Sequence, residues 1–436
     1  MASTKSTLMS LAAQIASSAA VIQQQLERNK LQGPSFAADA PTALPDDPEV
    51  QNARMALIEA ASSLQCLATG PEDLMKWQAI TLKHDQFVLD FLNQYRVFEA
   101  VPLDSDIPYA ELASKVGVSE SILRRVIRHA MTQHIFAETA PGSGRVVHTS
   151  NSAFVARTPL VKSWLGHNLE EVTAGSVKQV ETIRTYGDSQ EPNESAMCIA
   201  LTGGPLEEGK TLFDFFGTDG EGDQKGWRMR RFGEAMKSAT QSGAHSGHHV
   251  HAGLEWDALG DATVVDIGGS IGHVSIELAK QHPKLKCIVQ DFAGLEPQFN
   301  ATLPVDLRDR VTFQAHNFWE EQPVKGADVY FMKHILHDWS DKYCLKILRA
   351  IVPAMKDGSR IVVMDGVLPP PGTAPLPMEH LLTALDLQMM TALNAKERSH
   401  EEWVALFKEA DSRLEVKGIV QPPGSAAAVI EVVFHG

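Results

Sequence analysis

The sequence predicts an α/β protein: a doubly wound, mostly parallel sheet preceded by an N-terminal helical region. Three observations carry this. Residues 261–273 (Asp-Ala-Thr-Val-Val-Asp-Ile-Gly-Gly-Ser-Ile-Gly-His) join an apolar, strand-like run to a helix-like run through a turn holding Gly268, Gly269 and Gly272. Strand-like runs recur at 263–267, 286–290, 311–315, 328–332, 361–365 and 414–420, with helical patterns between them. Alternation of this kind implies parallel strands covered by helices on both faces. Before about residue 155, by contrast, apolar residues recur mainly at helical spacing.

The N-terminal elements follow in order. Leu8, Leu11, Ile15, Ile22 and Leu26 form an apolar stripe on a first helix. No obvious partner for that stripe lies in its own domain, so it is expected to pack against a second copy of the chain. Gly33 to Pro48 holds four prolines and reads as a linker. Helical patterns follow at Met55–Leu67 and Met75–Tyr95. Pro108 to Arg128 is broken by Gly117 into helix, turn and helix, with Ser119 placed as an N-cap. Phe136 to Thr149 then alternates around Pro-Gly-Ser-Gly like a β-wing, which completes a winged-helix pattern. The domain reading is therefore 1–50 as helix and Pro-rich linker and 51–155 as a winged-helix-like domain. Residues 156–260 form a helical connector, and 261–436 the α/β domain.

Bulk properties narrow the function. At 436 residues the chain exceeds a usual single domain, and 44% hydrophobic residues suffice for a full core. Arg124, Arg125 and Arg128 on the second helix of the winged-helix pattern suit a DNA-binding regulator. A net charge of −15 argues against nucleic acid, because phosphate binding needs clustered cations. No apolar stretch reaches the roughly 20 residues of a membrane span. The first helix has neither a basic start nor a continuous apolar centre, so a signal peptide is not expected. The four cysteines are scattered without a C-x-x-C pair, which fits reduced thiols in the cytoplasm.

The glycine turn carries the first chemistry. Strand, glycine turn and helix form the first half of a nucleotide-binding βαβ unit, where side chains would hold a ligand off the backbone. The second half, Lys286–Gln290, ends at Asp291. An acid about 20 residues past the glycines is placed for the ribose hydroxyls of a nucleoside. The turn departs from G-x-G-x-x-G: its glycines are adjacent and Asp266 stands just upstream, where it would repel a pyrophosphate. A cationic amino-acid nucleoside fits better. The turn resembles the first motif of S-adenosyl-methionine-dependent methyltransferases.

A second signature narrows the resemblance. Asp328-Val-Tyr-Phe-Met-Lys-His-Ile-Leu-His-Asp-Trp-Ser-Asp341 resembles the core motif of the plant and fungal small-molecule O-methyltransferases, of the caffeate and flavonoid type. Ile361-Val-Val-Met-Asp-Gly-Val-Leu-Pro369 and Asn394-Ala-Lys-Glu-Arg-Ser399 resemble that family's next two blocks, in the same order. The resemblance spans about residues 75–435, and within it the fungal aromatic-polyketide enzymes are the most similar.

The resemblance implies an enzyme that methylates a phenolic hydroxyl with S-adenosyl-methionine and leaves S-adenosyl-homocysteine. It also implies a homodimer joined through the winged-helix region. His337 matches the catalytic histidine, with Asp365 and Glu397 as flanking acids that fix its tautomer. His334 is the competing base in the sequence, and Asp365 stands where many relatives carry the longer Glu. For the cofactor, Asp266, Gly268 and Gly269 match the glycine motif and Asp291 the ribose acid. Asn317 stands where many relatives have an Asp toward the adenine, with Phe318 beside it, and Lys333 matches a lysine near the cofactor's polar end. Phe232 and Met236 resemble a helix that covers the cofactor, with plain core packing as the alternative. Asp386, Met389 and Met390 lie at helical spacing before Asn394, and such a helix suits an aromatic acceptor pocket because methionine adapts to flat ligands. Core packing explains these residues equally well. Sulfonium displacement needs no Lewis acid, so no metal is expected.

Two other segments imitate functional motifs. Gly204-Pro-Leu-Glu-Glu-Gly-Lys-Thr211 satisfies the P-loop pattern of an ATPase. Pro205 lacks the N–H such a cradle uses, and Glu207 and Glu208 would face the phosphates. His245-Ser-Gly-His-His-Val-His251 could take zinc or nickel adventitiously, but no Cys or carboxylate follows at ligand spacing.

Overall fold

Thr263–Ile267 (β1), Lys286–Asp291 (β2), Val311–Ala315 (β3), Val329–Lys333 (β4), Arg360–Asp365 (β5), Leu414–Val420 (β6) and Ala428–Phe434 (β7) form one seven-stranded sheet. This computed structural model describes residues 6–240 and 243–436. The strand order is β6-β7-β5-β4-β1-β2-β3. The pairs β1–β2, β2–β3, β1–β4 and β4–β5 are parallel, and β7 runs antiparallel to both β5 and β6. Chain order reverses between β1 and β4, so the carboxyl ends of those strands flank the crevice where open α/β sheets bind ligands.

Burial explains the strand composition. Val264, Val265 and Ile267 of β1 and Val329, Tyr330, Phe331 and Met332 of β4 are all buried. Strands covered on both faces read as continuous apolar runs instead of alternating ones. One apolar core joins Val265, Tyr330 and Met332 to Leu348, Trp403 and Phe407. A second joins Val264, Val289 and Phe331 to Trp256, Ile276 and Phe299. The six strand-like runs of the sequence all appear, with boundaries shifted by at most a residue. β7 lies outside those runs, although Ala-Val-Ile-Glu-Val-Val-Phe carries a plain strand signal.

The chain divides into two compact units, Met1–Thr173 with Trp227–Ser238 and Pro370–Leu381, and the remainder, which holds the large sheet. The stretch 156–260 is shared between them instead of forming one connector. In the first unit the helix Leu8–Arg28 packs on the helix Pro48–Thr69, and Leu11, Ile22 and Leu26 are buried. The expectation that its stripe lacked a partner in its own domain is thereby corrected: the proline-rich linker is long enough to fold the two helices together.

Tyr109–Val116, a turn with Gly117 in the left-handed region, and Glu120–Thr132 capped by Ser119 form the helix-turn-helix. A small antiparallel sheet of Ile107–Pro108, Arg145–Val147 and Ala137–Glu138 stands beside it. The last long helix of this unit, Trp227–Thr240, is clamped to the one-turn π-helix His167–Val172. Fully buried Glu171 accepts from Arg231 at 2.5 Å there, while Glu170 pairs with the same guanidinium at 2.7 Å.

Gly204–Thr211 is not a phosphate cradle. It follows a helix, Ala196–Thr202, where a P-loop follows a strand, and the Thr211 hydroxyl and N–H are both bonded to Asp214 in a helix cap.

Candidate active site

The glycine turn leaves β1 at its carboxyl end. Gly268 sits at φ +72°, and a Cβ there would come within 2.5 Å of Ile335 Cδ1, so the turn closes only around glycine. Asp266 faces inward: it is buried, accepts a 2.6 Å hydrogen bond from Ser275 Oγ, and burial pushes its carboxyl up to about 6. It therefore braces the turn and the following helix, His273–Gln281, from beneath.

Asp291, at the end of β2, faces the same turn. Its Oδ2 accepts from Ser270 N–H at 2.8 Å and its Oδ1 from Phe292 N–H at 2.7 Å. Burial raises its pKa from the ordinary range. Each carboxylate oxygen has a second lone-pair direction, which leaves acceptor capacity for a sugar diol. Past the end of β3, Asn317 is exposed and its Oδ1 caps Trp319 N–H at 3.2 Å. Phe318 packs edge-on against Trp319 and Trp339. Lys333 ends β4 half-buried, with burial lowering its pKa against the opposing pull of Asp365 and Asp266. A glycine-walled turn, an acid with acceptor capacity to spare and an acidic surround suit an adenosyl group that carries positive charge and no phosphate. The residues fit S-adenosyl-methionine.

Immediately beyond β4 the chain turns sharply, with His334 at φ +51°, into the short turn Leu336–Asp338. His337 projects from it with 19% of its side chain exposed. Its Nδ1 lies 2.9 Å from Glu397 Oε1, and its Nε2 lies 3.5 Å from Asp338 Oδ1. Asp365, at the end of β5, is fully buried, and neither of its oxygens accepts a hydrogen bond among the described residues. Its Oδ1 lies 3.7 Å from His334 Nδ1. Burial pushes the Asp365 carboxyl up to about 7. Burial works against the charged form of His337, but Asp338, Glu397 and Asp365 outweigh it and raise the imidazole to about 10.

Glu397 is held on both sides. Gly366 leaves it room, since a Cβ there would meet Glu397 Oε2 at 2.5 Å. Asp386 Oδ1 accepts the Glu397 N–H at 2.9 Å. Next to it, fully buried Arg398 bonds Asp341 and the carbonyls of Leu336 and Trp339, fixing the turn that carries His337.

The structure thus brings His337, Glu397 and Asp386 into one chain of contacts and sets Asp365 against His334. A cavity of about 300 Å³ is lined by Asp386, Met390 and Asn394 together with Thr182, Tyr186 and Ser340. Asn394 also donates from Nδ2 to the Glu191 carbonyl at 2.8 Å. Met389, on the same helix, Leu376–Leu393, is half-buried and outside that lining. Phe232 and Met236 belong to the other unit, where Phe232 packs edge-on against His167.

Asp338 and Arg398 had no assigned role from sequence. The signal for Asp338 was its place directly after the histidine, and for Arg398 its place directly after the acid.

The histidine run does not converge. His248 Nδ1 bonds Ser246, His249 Nε2 bonds the Gly243 carbonyl, and His251 pairs with His282 at 3.1 Å. The His245 side chain lies outside the described residues.

Comparisons with known proteins show the family and the fold. Residues 231–412 match the model of the O-methyltransferase domain. Over the full length, the chain is 35% identical to the O-methyltransferase pgmB of Aspergillus terreus, covering 99% of this chain and 97% of that one. It is 33% identical to the grayanic acid biosynthesis cluster O-methyltransferase of Cladonia grayi, covering 99% and 88%. Among solved structures, OxaC superposes with a TM-score of 0.73 at 21% identity, covering 97% of this chain and all of that one. A structure described as a pericyclic reaction enzyme superposes at 0.72 with 22% identity, covering 97% and 99%. One fold hosts different chemistries, so the reaction has to be argued from the site.

Proposed function

The chain belongs to the O-methyltransferase family, and from that premise we propose that it methylates a phenolic hydroxyl of an aromatic polyketide or similar secondary metabolite. S-adenosyl-methionine is the donor and His337 the general base. The observation that carries the reading is the 2.9 Å contact between His337 Nδ1 and Glu397 Oε1. A carboxylate on Nδ1 selects the tautomer whose Nε2 is available to the acceptor.

S-adenosyl-methionine, when bound, supplies a methyl group on a sulfonium. Gly268, Gly269 and Asp291 would hold the adenosyl group, with Asn317, Phe318 and Lys333 around it. His337 Nε2 takes the acceptor proton as the oxygen attacks. A phenol titrates at about 10, and His337 is raised to about 10. Near neutral pH both groups are mostly protonated, so the reaction runs through the minor fraction with a neutral imidazole, and within that fraction transfer between groups of matched pKa costs little. Glu397, in contact with Nδ1, stabilises the imidazolium. The proton would remain on His337, beside Glu397, until solvent collects it.

The half-buried Met390 and the cavity beside it suit a flat acceptor wall. The small sheet and helix-turn-helix are read as a winged helix that joins two copies, in a cytoplasmic enzyme with four unpaired cysteines. Nucleic acid is disfavoured as a partner: Arg124 pairs with Glu120 at 2.6 Å and lies 4.2 Å from the Tyr109 ring centroid. Among the described residues no helix is long and apolar enough to cross a membrane. Incubation with isotopically labelled methyl donor and a panel of phenols tests the proposal. Labelled product from wild type and none from His337→Gln supports it, and no labelled product from any phenol overturns the substrate class.

A further inference from the structure

His334, His337 and Asp365 place one nitrogen of each imidazole and one carboxylate oxygen within 4.8 Å of one another. Two imidazoles and a carboxylate form a recurrent donor set for Zn²⁺ and similar cations. A second, independent observation points to a ligand. Asp365 is fully buried and neither oxygen accepts a hydrogen bond among the described residues. A buried carboxylate in that condition loses the solvation of water with no protein donor in exchange. Glu397 on His337 Nδ1 also reproduces the carboxylate–histidine contact that commonly orients metal-ligating imidazoles.

From this geometry we infer that His334, His337 and Asp365 form an inhibitory binding site for a divalent transition-metal cation such as Zn²⁺. Ligand atoms on one zinc lie about 3.3 Å apart, given bond lengths near 2.0–2.1 Å. The ligand atoms therefore need to approach one another by at most about 1.5 Å. Asp338, Asp365 and Glu397 surround His337, against the opposing charges of Lys333 and Arg398, and a bound cation takes the place of the proton on the imidazole, so binding should tighten as pH rises. A cation held there occupies the imidazole that the proposed reaction needs neutral, so binding removes activity. This consequence rests on His337 being the base, whereas the binding itself does not.

The test uses the full-length, metal-free protein and Co²⁺, whose visible absorption reports nitrogen and oxygen ligation. One equivalent of Co²⁺ should bind with Kd in the micromolar range and be displaced by Zn²⁺. His334→Gln and Asp365→Asn should each weaken binding at least tenfold, while His251→Gln, in the separate histidine run, leaves it unchanged. Should either triad variant fail to fold, Cu²⁺ electron paramagnetic resonance on the folded His251→Gln protein must still show two coupled imidazole nitrogens. Loss of binding in His251→Gln, or no binding below millimolar Co²⁺, overturns the site. Methyl transfer should fall with added Zn²⁺ and recover with EDTA. Metal binding confirmed by spectroscopy, but with methyl transfer unaffected, would leave the site standing and reject His337 as the base.

Discussion

Asp386 holds the backbone of Glu397: its Oδ1 accepts the Glu397 N–H at 2.9 Å, and the Glu397 carboxylate in turn bonds His337. The support for the proposed base therefore reaches back to the helix Leu376–Leu393, well outside the motif that contains the histidine. Asp386→Ala should lower kcat about tenfold, the equivalent of one net hydrogen bond of about 1.4 kcal/mol. Asp386→Asn keeps an oxygen acceptor and should restore most of the rate. Equal loss in both variants would show that the charge of Asp386, and not its grip on Glu397, is what counts.

His337→Gln should reduce turnover by about 10²- to 10⁴-fold, the usual contribution of a positioned acid–base group. Binding of S-adenosyl-homocysteine, measured by calorimetry, should change little, because the proposed role of the imidazole is toward the acceptor. A variant turning over at the wild-type rate would transfer the role to His334 or to none.

The pH profile follows from the acidic surround. His337 is raised to about 10 against the opposing effect of burial, so it is protonated below that pH and its neutral form grows as pH rises. The rate constant kcat/KM should climb from pH 7 toward pH 10, where an unperturbed histidine would level off about a unit above 6.5. Asp365 is pushed up to about 7 by burial and ionises at the start of this window, where it strengthens the hold on the proton. Asp365→Asn should then shift the profile to lower pH. The raised His337 also stabilises the fold below about pH 6.5, an effect lost as pH rises through about 10. Raised Asp365 adds a loss of stability between about 3.8 and 7, so above the range where ordinary carboxylates titrate these two groups lower the melting temperature as pH rises. A kcat/KM that is flat above pH 7.5 would contradict the assignment.

Asp291→Ala should weaken S-adenosyl-homocysteine binding by about 1.5–3 kcal/mol, the range for a hydrogen bond to a charged group. Part of that loss is indirect, since the same carboxylate holds the Ser270 and Phe292 amides. Asp291→Asn retains one acceptor and should fall between the two. Unchanged affinity in the Ala variant would place the ribose elsewhere.

The sheet was readable because its strands are buried on both faces, which writes apolar runs such as Val329–Met332 directly into the sequence. The glycine turn was readable because Gly268 has no room for a side chain. His337 and Glu397 lie sixty residues apart in the chain and were linked only through a family resemblance. Asp386 stands out in the sequence only by its helical position, and nothing local announces that it bonds a backbone amide eleven residues on. The partner of the first helix is hidden for a similar reason: a linker's composition says that it bends but not which helix it returns to.

An exposed apolar face lies on a different helix from the one the sequence suggested. Pro71–Gln94 exposes Trp77 at 56%, Ile80 at 62% and Phe87 at 51%. These positions are spaced i, i+3 and i+10, which puts them on one side of the helix. Large apolar residues clustered on an exposed face mark an interaction surface more often than isolated ones do. A second copy of the chain is the commonest occupant, because most soluble oligomers are symmetric homodimers. Sedimentation of the wild-type protein at micromolar concentration should give a dimer. The double variant Trp77→Asp, Ile80→Asp should sediment as a monomer whose S-adenosyl-homocysteine affinity is retained, because the glycine turn and Asp291 belong to the other unit of the chain. A wild-type protein that sediments as a monomer and still turns over would reject the dimer altogether. A double variant that remains a dimer would move the interface off this helix face.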